Sequence, residues 1–211
     1  MTKILYLHGF NSAFDAGSSK VKQLASLTAV SNVVGIDFPY HCDDLALRLD
    51  AVVQGLNEAQ EEIVIGGTSL GGFFARYLAS RHAKRLITIN PSLEPWITLQ
   101  RVIGVEQQNF KTGERYFIAG QWLERLSHLA VARVQVPALT VISSDDEVLH
   151  FDAAAIQRLK DESQVVMTSG GHRLEVLPEE VVAGIQGFLA LTAGDVLKLT
   201  DRCGSGNHHP G

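Results

Sequence analysis

Short apolar blocks alternate with longer stretches of helical spacing along this chain. Ile4–Leu7 is a compact apolar run closed by the turn signal His8-Gly9, and a helical stretch follows over about 18–27. Val33–Ile36 reads as the next strand and stops at Asp37-Phe38-Pro39. Leu45, Leu49, Val52, Val53 and Leu56 then recur at i, i+4, i+7, i+8 and i+11, which is one stripe of an amphipathic helix, with Asp43 or Asp44 as its N-cap. Ile63–Ile65 is a third strand. It runs into Gly66-Gly67-Thr68-Ser69-Leu70-Gly71-Gly72 and a helix over 73–80. Leu86–Ile89, Ala138–Ile142 and Gln164–Thr168 complete six strands. A helix over 152–159 lies between the last two, and a final helix starts at Pro178. Apolar strands separated by helices predict an α/β fold, a mostly parallel sheet of six to seven strands with helices on both faces. The stretch from Asn90 to Val136, about 47 residues, has no clear strand and is long for a simple connection, as functional lids are.

Composition narrows this picture without redirecting it. The chain has 211 residues, 45% hydrophobic and 19% charged, which suits one domain with its own core. We read 1–192 as that domain, with a cap insertion at about 91–136, and 193–211 as a polar tail that frays. A net charge of −5 gives no basic footprint for nucleic acid. No apolar run approaches the ~20 residues of a membrane span. The four-residue run before His8 is too short for a secretory signal core, and Cys42 and Cys203 make no disulfide framework. A cytoplasmic protein is the expectation.

The chemistry begins at Gly67-Thr68-Ser69-Leu70-Gly71, a G-x-S-x-G motif set between an apolar strand and a helix. A nucleophile elbow needs that setting. The turn is so tight that side chains two residues before and two after the serine would collide, and Gly67 and Gly71 remove them. Ser69 is then held strained, with its hydroxyl exposed at the positive end of the following helix. A glycine turn that only packs a strand on a helix is the plainer alternative. A phosphate loop is excluded, because no lysine follows the glycines.

A serine hydroxyl needs a base, and in this architecture the order is serine, acid, histidine. Of eight histidines, His172 lies on the loop after the last core strand, behind Ser169-Gly170-Gly171. His150 comes too early, and His208 and His209 lie in the tail. The acid belongs at the end of the preceding strand, where Asp145-Asp146-Glu147 stands. Asp146 is preferred, because Asp146-Glu147-Val148-Leu149 fits the Asp-x-Val-Val pattern common after this strand in such enzymes, and Asp145 remains the alternative. The oxyanion would be met by the backbone N–H of Leu70 and of Phe10, which follows Gly9 in the loop after the first strand. His8 reads as a structural hydrogen-bonder. No histidine pair, CxxC or carboxylate cluster has metal-ligand spacing, so neither metal nor cofactor is expected.

These residues resemble the small cytoplasmic α/β-hydrolase esterases of the YqiA/YcfP type. The matching pieces are Tyr6-Leu7-His8-Gly9-Phe10-Asn11-Ser12, Gly67 to Ala75, Ile89-Asn90-Pro91, Thr112-Gly113-Glu114-Arg115-Tyr116 and Asp146 to Leu149. The resemblance implies a minimal α/β-hydrolase without the first antiparallel strands and with a small helical cap. It also implies hydrolysis of short acyl esters or of acyl-CoA thioesters by Ser69, Asp146 and His172. The family tends to have Gly where Asp145 stands and one residue between the glycine pair and the histidine, where His172 follows Gly171 directly. Our reading is a serine carboxylesterase for short- to medium-chain esters. Trp96, Phe110, Tyr116 and Trp122 are candidate walls of the acyl pocket, or else ordinary cap packing. A thioesterase using the same residues and a non-catalytic binding protein on this scaffold are the alternatives. The sequence does not fix oligomeric state.

Overall fold

The computed structural model describes residues 2–36, 39–59 and 62–191. Six parallel strands form its sheet: β1 (Thr2–Leu7), β2 (Val30–Gly35), β3 (Ile63–Thr68), β4 (Arg85–Ile89), β7 (Ala138–Ser143) and β8 (Gln164–Thr168). Their spatial order is β2-β1-β3-β4-β7-β8. All five pairings are parallel, so the antiparallel strands that open larger relatives of this fold are absent among the described residues.

The apolar blocks bury both faces of this sheet. Leu5, Leu7, Ile63, Ile65 and Leu86 face one core, packed by α2 (Leu45–Glu58) and α3 (Leu70–His82). Ile4, Tyr6, Val64, Ile87 and Val141 alternate to the other, packed by α1 (Ser19–Ala25) and α7 (Glu179–Ala190). A period of two on central strands and 3.6 on the helices is what lets each element fill one core. Asp44 does occupy the N-cap position of α2, but its side chain caps nothing. It binds Arg48 one turn on, at 2.7 Å.

From β1 the chain first moves outward to β2 and then returns to the other side of β1 to form β3. The strand order reverses there, and the C-terminal ends of β1 and β3 open side by side. A crevice at such a switch point is where open α/β sheets bind ligands. The loop after β1 holds Gly9 and Phe10, and the turn after β3 holds Ser69.

The segment between β4 and β7, which the sequence pattern leaves without a strand, carries a short antiparallel hairpin. Its strands are β5 (Glu106–Gln108) and β6 (Arg115–Phe117). Each is three residues long and mostly exposed, so no apolar alternation marks it. Short helices flank the hairpin, α4 (Pro95–Thr98) and α5 (Gly120–His128), and α5 buries Trp122, Leu123 and Leu126 in the core. Between β7 and β8 runs α6 (Ala153–Lys160). The tail from 193, with Cys203, His208 and His209, lies outside the described residues, as do Asp37 and Phe38.

Candidate active site

Ser69 stands between β3 and α3 with φ +56° and ψ −123°, a conformation that side-chain-bearing residues rarely hold. Three backbone bonds pin it: its N–H donates to Ile89 O (3.1 Å), and its carbonyl accepts from Ser92 (3.0 Å) and Phe73 (3.2 Å). The flanking glycines are required by backbone, each for its own reason. A Cβ on Gly67 would lie 2.3 Å from the Gly71 carbonyl oxygen. A Cβ on Gly71 would lie 2.1 Å from Leu7 O and 2.3 Å from His8 O. The first is the tightness of the turn itself. The second is the close approach of α3 to the end of β1, which brings the β1 loop to Ser69.

His172 reaches this serine from the loop after β8. Its Nε2 lies 2.9 Å from Ser69 Oγ, and its Nδ1 lies 2.8 and 3.0 Å from the two Asp146 oxygens. With the carboxylate as acceptor, Nδ1 carries the hydrogen and Nε2 is free to accept from Ser69. The Asp146 carboxylate is buried, and its Oδ1 also accepts the N–H groups of Val148 (2.8 Å) and Leu149 (2.7 Å).

The three consecutive acids divide their work. Only Asp146 touches the imidazole. Asp145 accepts from Gly170 N (2.9 Å) and Gly171 N (3.0 Å), and Glu147 accepts from His172 N (2.9 Å). The Gly171 and Gly170 N–H groups hold the Asp145 carboxyl below its ordinary range, and the His172 N–H does the same for Glu147. Gly170 and Gly171 adopt φ +129° and +71°, so the loop folds around these acceptors although His172 follows the glycine pair directly.

Asn90 was not singled out chemically by the sequence pattern, yet it lies at the centre of the site. It is fully buried at the end of β4 with φ +44°. Its Oδ1 accepts Ser143 N (2.7 Å), and its Nδ2 donates to Ser143 Oγ (3.2 Å), Gly171 O (3.2 Å) and His172 O (3.0 Å). The signal in the sequence was Asn before Pro91 directly after a strand, since Asn tolerates a left-handed backbone.

Gly9 brings the β1 loop against the nucleophile, since a Cβ there would meet Ser69 Cβ at 3.5 Å. Among the described residues the N–H groups of Phe10 and Leu70 have no hydrogen-bond partner. Beside them opens a cleft walled by Phe10, Tyr40, Tyr116 and Trp122, with His41 and Glu114 at its polar side. Trp122 is buried and donates Nε1–H to Tyr40 O (2.7 Å). The hydroxyl of Tyr116 donates to Asn11 Oδ1, and its ring stacks on His41 at 4.0 Å. Two of the aromatics expected to wall a pocket lie elsewhere. Trp96 packs edge-on against Phe73 at 6.0 Å, outside this cleft. Phe110 is 70% exposed, with its ring under the Arg173 guanidinium at 5.4 Å. His8 stacks on Tyr40 and donates Nδ1–H to Gly9 O (2.9 Å), and burial lowers its pKa. Among the described residues no cluster of three or more His, Cys, Asp or Glu is placed to hold a metal, and no helix is long and apolar enough to cross a membrane.

Solved structures share this architecture. Est1E from Butyrivibrio proteoclasticus superposes with a TM-score of 0.63 at 17% identity, covering 89% of this chain and 86% of its own. A Pyrococcus furiosus esterase, Pf2001, gives 0.61 at 16%, covering 89% and 80%. A monoacylglycerol lipase of Paleococcus ferrophilus gives 0.61 at 18%, covering 89% and 93%. At such identities the likeness shows the fold, which is that of the α/β-hydrolases. By sequence, a UPF0227 protein of Vibrio cholerae serotype O1 is 24% identical over 164 residues, 77% of this chain and 86% of that protein. One from Shewanella sediminis is 28% identical over 93 residues, 44% of this chain and 52% of that protein. The profile of the uncharacterised protein family UPF0227, to which the YqiA/YcfP type belongs, matches residues 3–189, from the second residue of β1 to within α7. With nearly every element of the fold inside that match, the chain belongs to the UPF0227 family.

Proposed function

We propose that this protein is a serine carboxylesterase acting on short- to medium-chain acyl esters through an acyl-enzyme on Ser69. One observation carries the reading: His172 Nε2 stands 2.9 Å from Ser69 Oγ while its other nitrogen is held by the buried Asp146. An ordinary surface histidine has no need of a buried carboxylate on one side and a strained serine on the other. The esterase and lipase names of the structural neighbours favour the same reaction class.

In this reading Ser69 Oγ attacks the ester carbonyl and its proton passes to His172 Nε2. Asp146 keeps the imidazole in the required tautomer and stabilises the imidazolium without taking its proton. The oxyanion accepts from the N–H groups of Phe10 and Leu70, which among the described residues have no other partner. Collapse of the tetrahedral adduct expels the alcohol, which takes the proton from His172. A water molecule then gives a proton to His172 and its oxygen to the acyl carbon; the bond from that carbon to Ser69 Oγ breaks, Oγ takes the proton back from His172, and the carboxylic acid leaves. The cleft lined by Phe10, Tyr116 and Trp122 receives the acyl group, and under so small a cap short chains are favoured over long ones.

Labelling with a fluorophosphonate, read by intact mass and peptide mapping, tests this without a choice of substrate. One adduct on Ser69, lost in His172→Ala, is the expected result. A folded protein that takes no label overturns the reading. The chain-length expectation is checked with p-nitrophenyl esters, and a rate rising steadily from acetyl to palmitoyl contradicts it.

A further inference from the structure

Lys20 is a buried cation that this mechanism does not use. It lies in the first turn of α1, is only 8% exposed, and among the described residues has no carboxylate within salt-bridge distance. Lysines on helices that pack against a sheet ordinarily run their stems outward and keep the ammonium in water. This one points inward. Its Nζ donates to Arg173 O at 2.5 Å and to Thr68 Oγ1 at 3.4 Å. Thr68 immediately precedes Ser69, and Arg173 immediately follows His172.

We propose that Lys20 is a positioning residue for the base: its ammonium ties the backbone after His172 to the residue before Ser69, and the strength of that tie follows the protonation of Lys20. The inference rests on the Ser69–His172–Asp146 reading. It gives the His172 loop a grip from α1 in addition to those of Asn90 and Asp145.

The groups around Lys20 leave its charge as the variable one. From β1, the Tyr6 hydroxyl shares Thr68 Oγ1 at 2.6 Å, and burial pushes the phenol up to about 12, so it keeps its proton. Glu175, in the loop beyond Arg173, favours the ammonium. The Arg173 side chain is exposed and turned toward Phe110, and Lys22 lies on the same helix as Lys20. Burial outweighs Glu175 and brings the Lys20 ammonium down to about 8. Above that pH the amine still donates to Arg173 O, but without its charge, and a charge-assisted bond is roughly twice as strong as a neutral one.

The test is the pH profile of kcat and KM for wild type, Lys20→Met and Lys20→Arg on one ester. In wild type, kcat is expected to fall about fivefold through pH ~8 to a plateau, with KM unchanged, since the change amounts to weakening one buried bond. Lys20→Met is expected to show kcat about tenfold below wild type at neutral pH and no alkaline step. Lys20→Arg keeps its charge, so its step should vanish while part of the neutral-pH rate returns. A Lys20→Met enzyme with the wild-type kcat, or one that keeps the step, overturns the proposal. NMR of lysine-labelled wild type gives a check that needs no variant: the Lys20 midpoint must coincide with the kcat step, and separate midpoints overturn it. Fluorophosphonate labelling distinguishes the two levels of failure. Labelling at Ser69 with an unmoved Lys20→Met profile removes this inference alone, whereas a wild type that neither labels nor hydrolyses removes the triad reading and the inference with it.

Discussion

The two halves of the site are held in different ways. The serine turn is shaped by backbone against backbone, with Gly67 against the Gly71 carbonyl and Gly71 against the end of β1. Among the described residues, side chains touch it only at Ser69, from the His172 imidazole, and at Thr68 Oγ1, from Tyr6 and Lys20. The His172 loop is gripped almost entirely by side chains. Asp145 and Glu147 take its N–H groups, Asn90 takes two of its carbonyls, and Lys20 takes a third. The turn is therefore brittle, because one extra carbon on Gly67 or Gly71 has nowhere to go. The loop is redundant, because each grip is one of several. Substitutions in the turn should act as switches and those around the loop as graded adjustments, with one exception, the residue that touches the imidazole itself.

That exception is the largest expected effect. Asp146→Asn should lower kcat about 10⁴-fold at nearly unchanged stability, because an amide in place of the carboxylate favours the wrong imidazole tautomer. Asp145→Asn, one residue away, should cost only about tenfold, since it weakens two backbone contacts at an exposed position. Equal losses in the two variants, measured on one ester with stability followed by urea melts, would erase the distinction between the acid and its neighbours. Next comes Gly71→Ala. Its Cβ would stand 2.1 Å from a backbone oxygen that cannot swing aside. We expect a loss of about 4 kcal/mol in unfolding free energy together with loss of fluorophosphonate labelling. Near-wild-type stability in that variant would show the turn to be more compliant than its contacts imply.

The same contrast explains what could be read from the sequence. The turn's requirements are local, so Gly67, Ser69 and Gly71 announce themselves within five residues, and the strands on either side announce themselves by periodicity. The loop's requirements are spread from residue 20 to residue 172. The sequence preferred Asp146 by the Asp-x-Val-Leu pattern but left Asp145 open, since both stand just beyond β7 and only the folded loop shows which one faces His172. It gave no hint that Asn90 would hold the carbonyls of Gly171 and His172, because that depends on β4 and β7 being adjacent. Phe110 illustrates the opposite error. An aromatic residue in an insertion near the site suggests a pocket wall, yet whether its ring turns in or out is decided by a hairpin too short and too polar to leave a pattern.

The grip of Lys20 also has a thermodynamic signature. Its folded-state pKa of about 8 lies below the ordinary 10.5, so burial of the charge destabilises the native state, fully so below pH 8. Between about pH 8 and 10.5 the unfolded chain binds the proton that the folded one has lost, and stability contributed by this group rises with pH. Across that window wild type should gain about 3 kcal/mol relative to Lys20→Met, from 1.36 kcal/mol per pKa unit. Urea melts of both proteins at several pH values measure it, and parallel pH dependences would mean that Lys20 is not desolvated in solution.

The smallest effect belongs to the surroundings of Ser69 and bears most on how far this half is held by its backbone. Phe10 N–H, the proposed oxyanion donor, is followed by Asn11 at φ +53°. Asn11 is fixed by the hairpin: its Oδ1 accepts from Tyr116, its Nδ2 donates to Gln107 Oε1 (3.1 Å), and its carbonyl accepts from Phe110 N (2.8 Å). Asn109 adds a bond to Ser12 O at 2.9 Å. So the hairpin buttresses the loop that carries this N–H, with Tyr116 as the contribution of the Thr-Gly-Glu-Arg-Tyr segment. Burial, helped by Glu114, pushes the Tyr116 phenol up to about 12, so it stays a donor throughout the assay range. Tyr116→Phe removes one of these contacts and leaves the ring stacked on His41. A misaimed oxyanion donor weakens the transition state more than the bound ester, so kcat should fall about fivefold, roughly 1 kcal/mol, with KM unchanged. Affinity for a boronic acid that forms a tetrahedral adduct should fall in step. If Tyr116→Phe instead raises KM alone, the hairpin shapes the acyl cleft and not the oxyanion site, and the serine half is indeed held by its backbone without help.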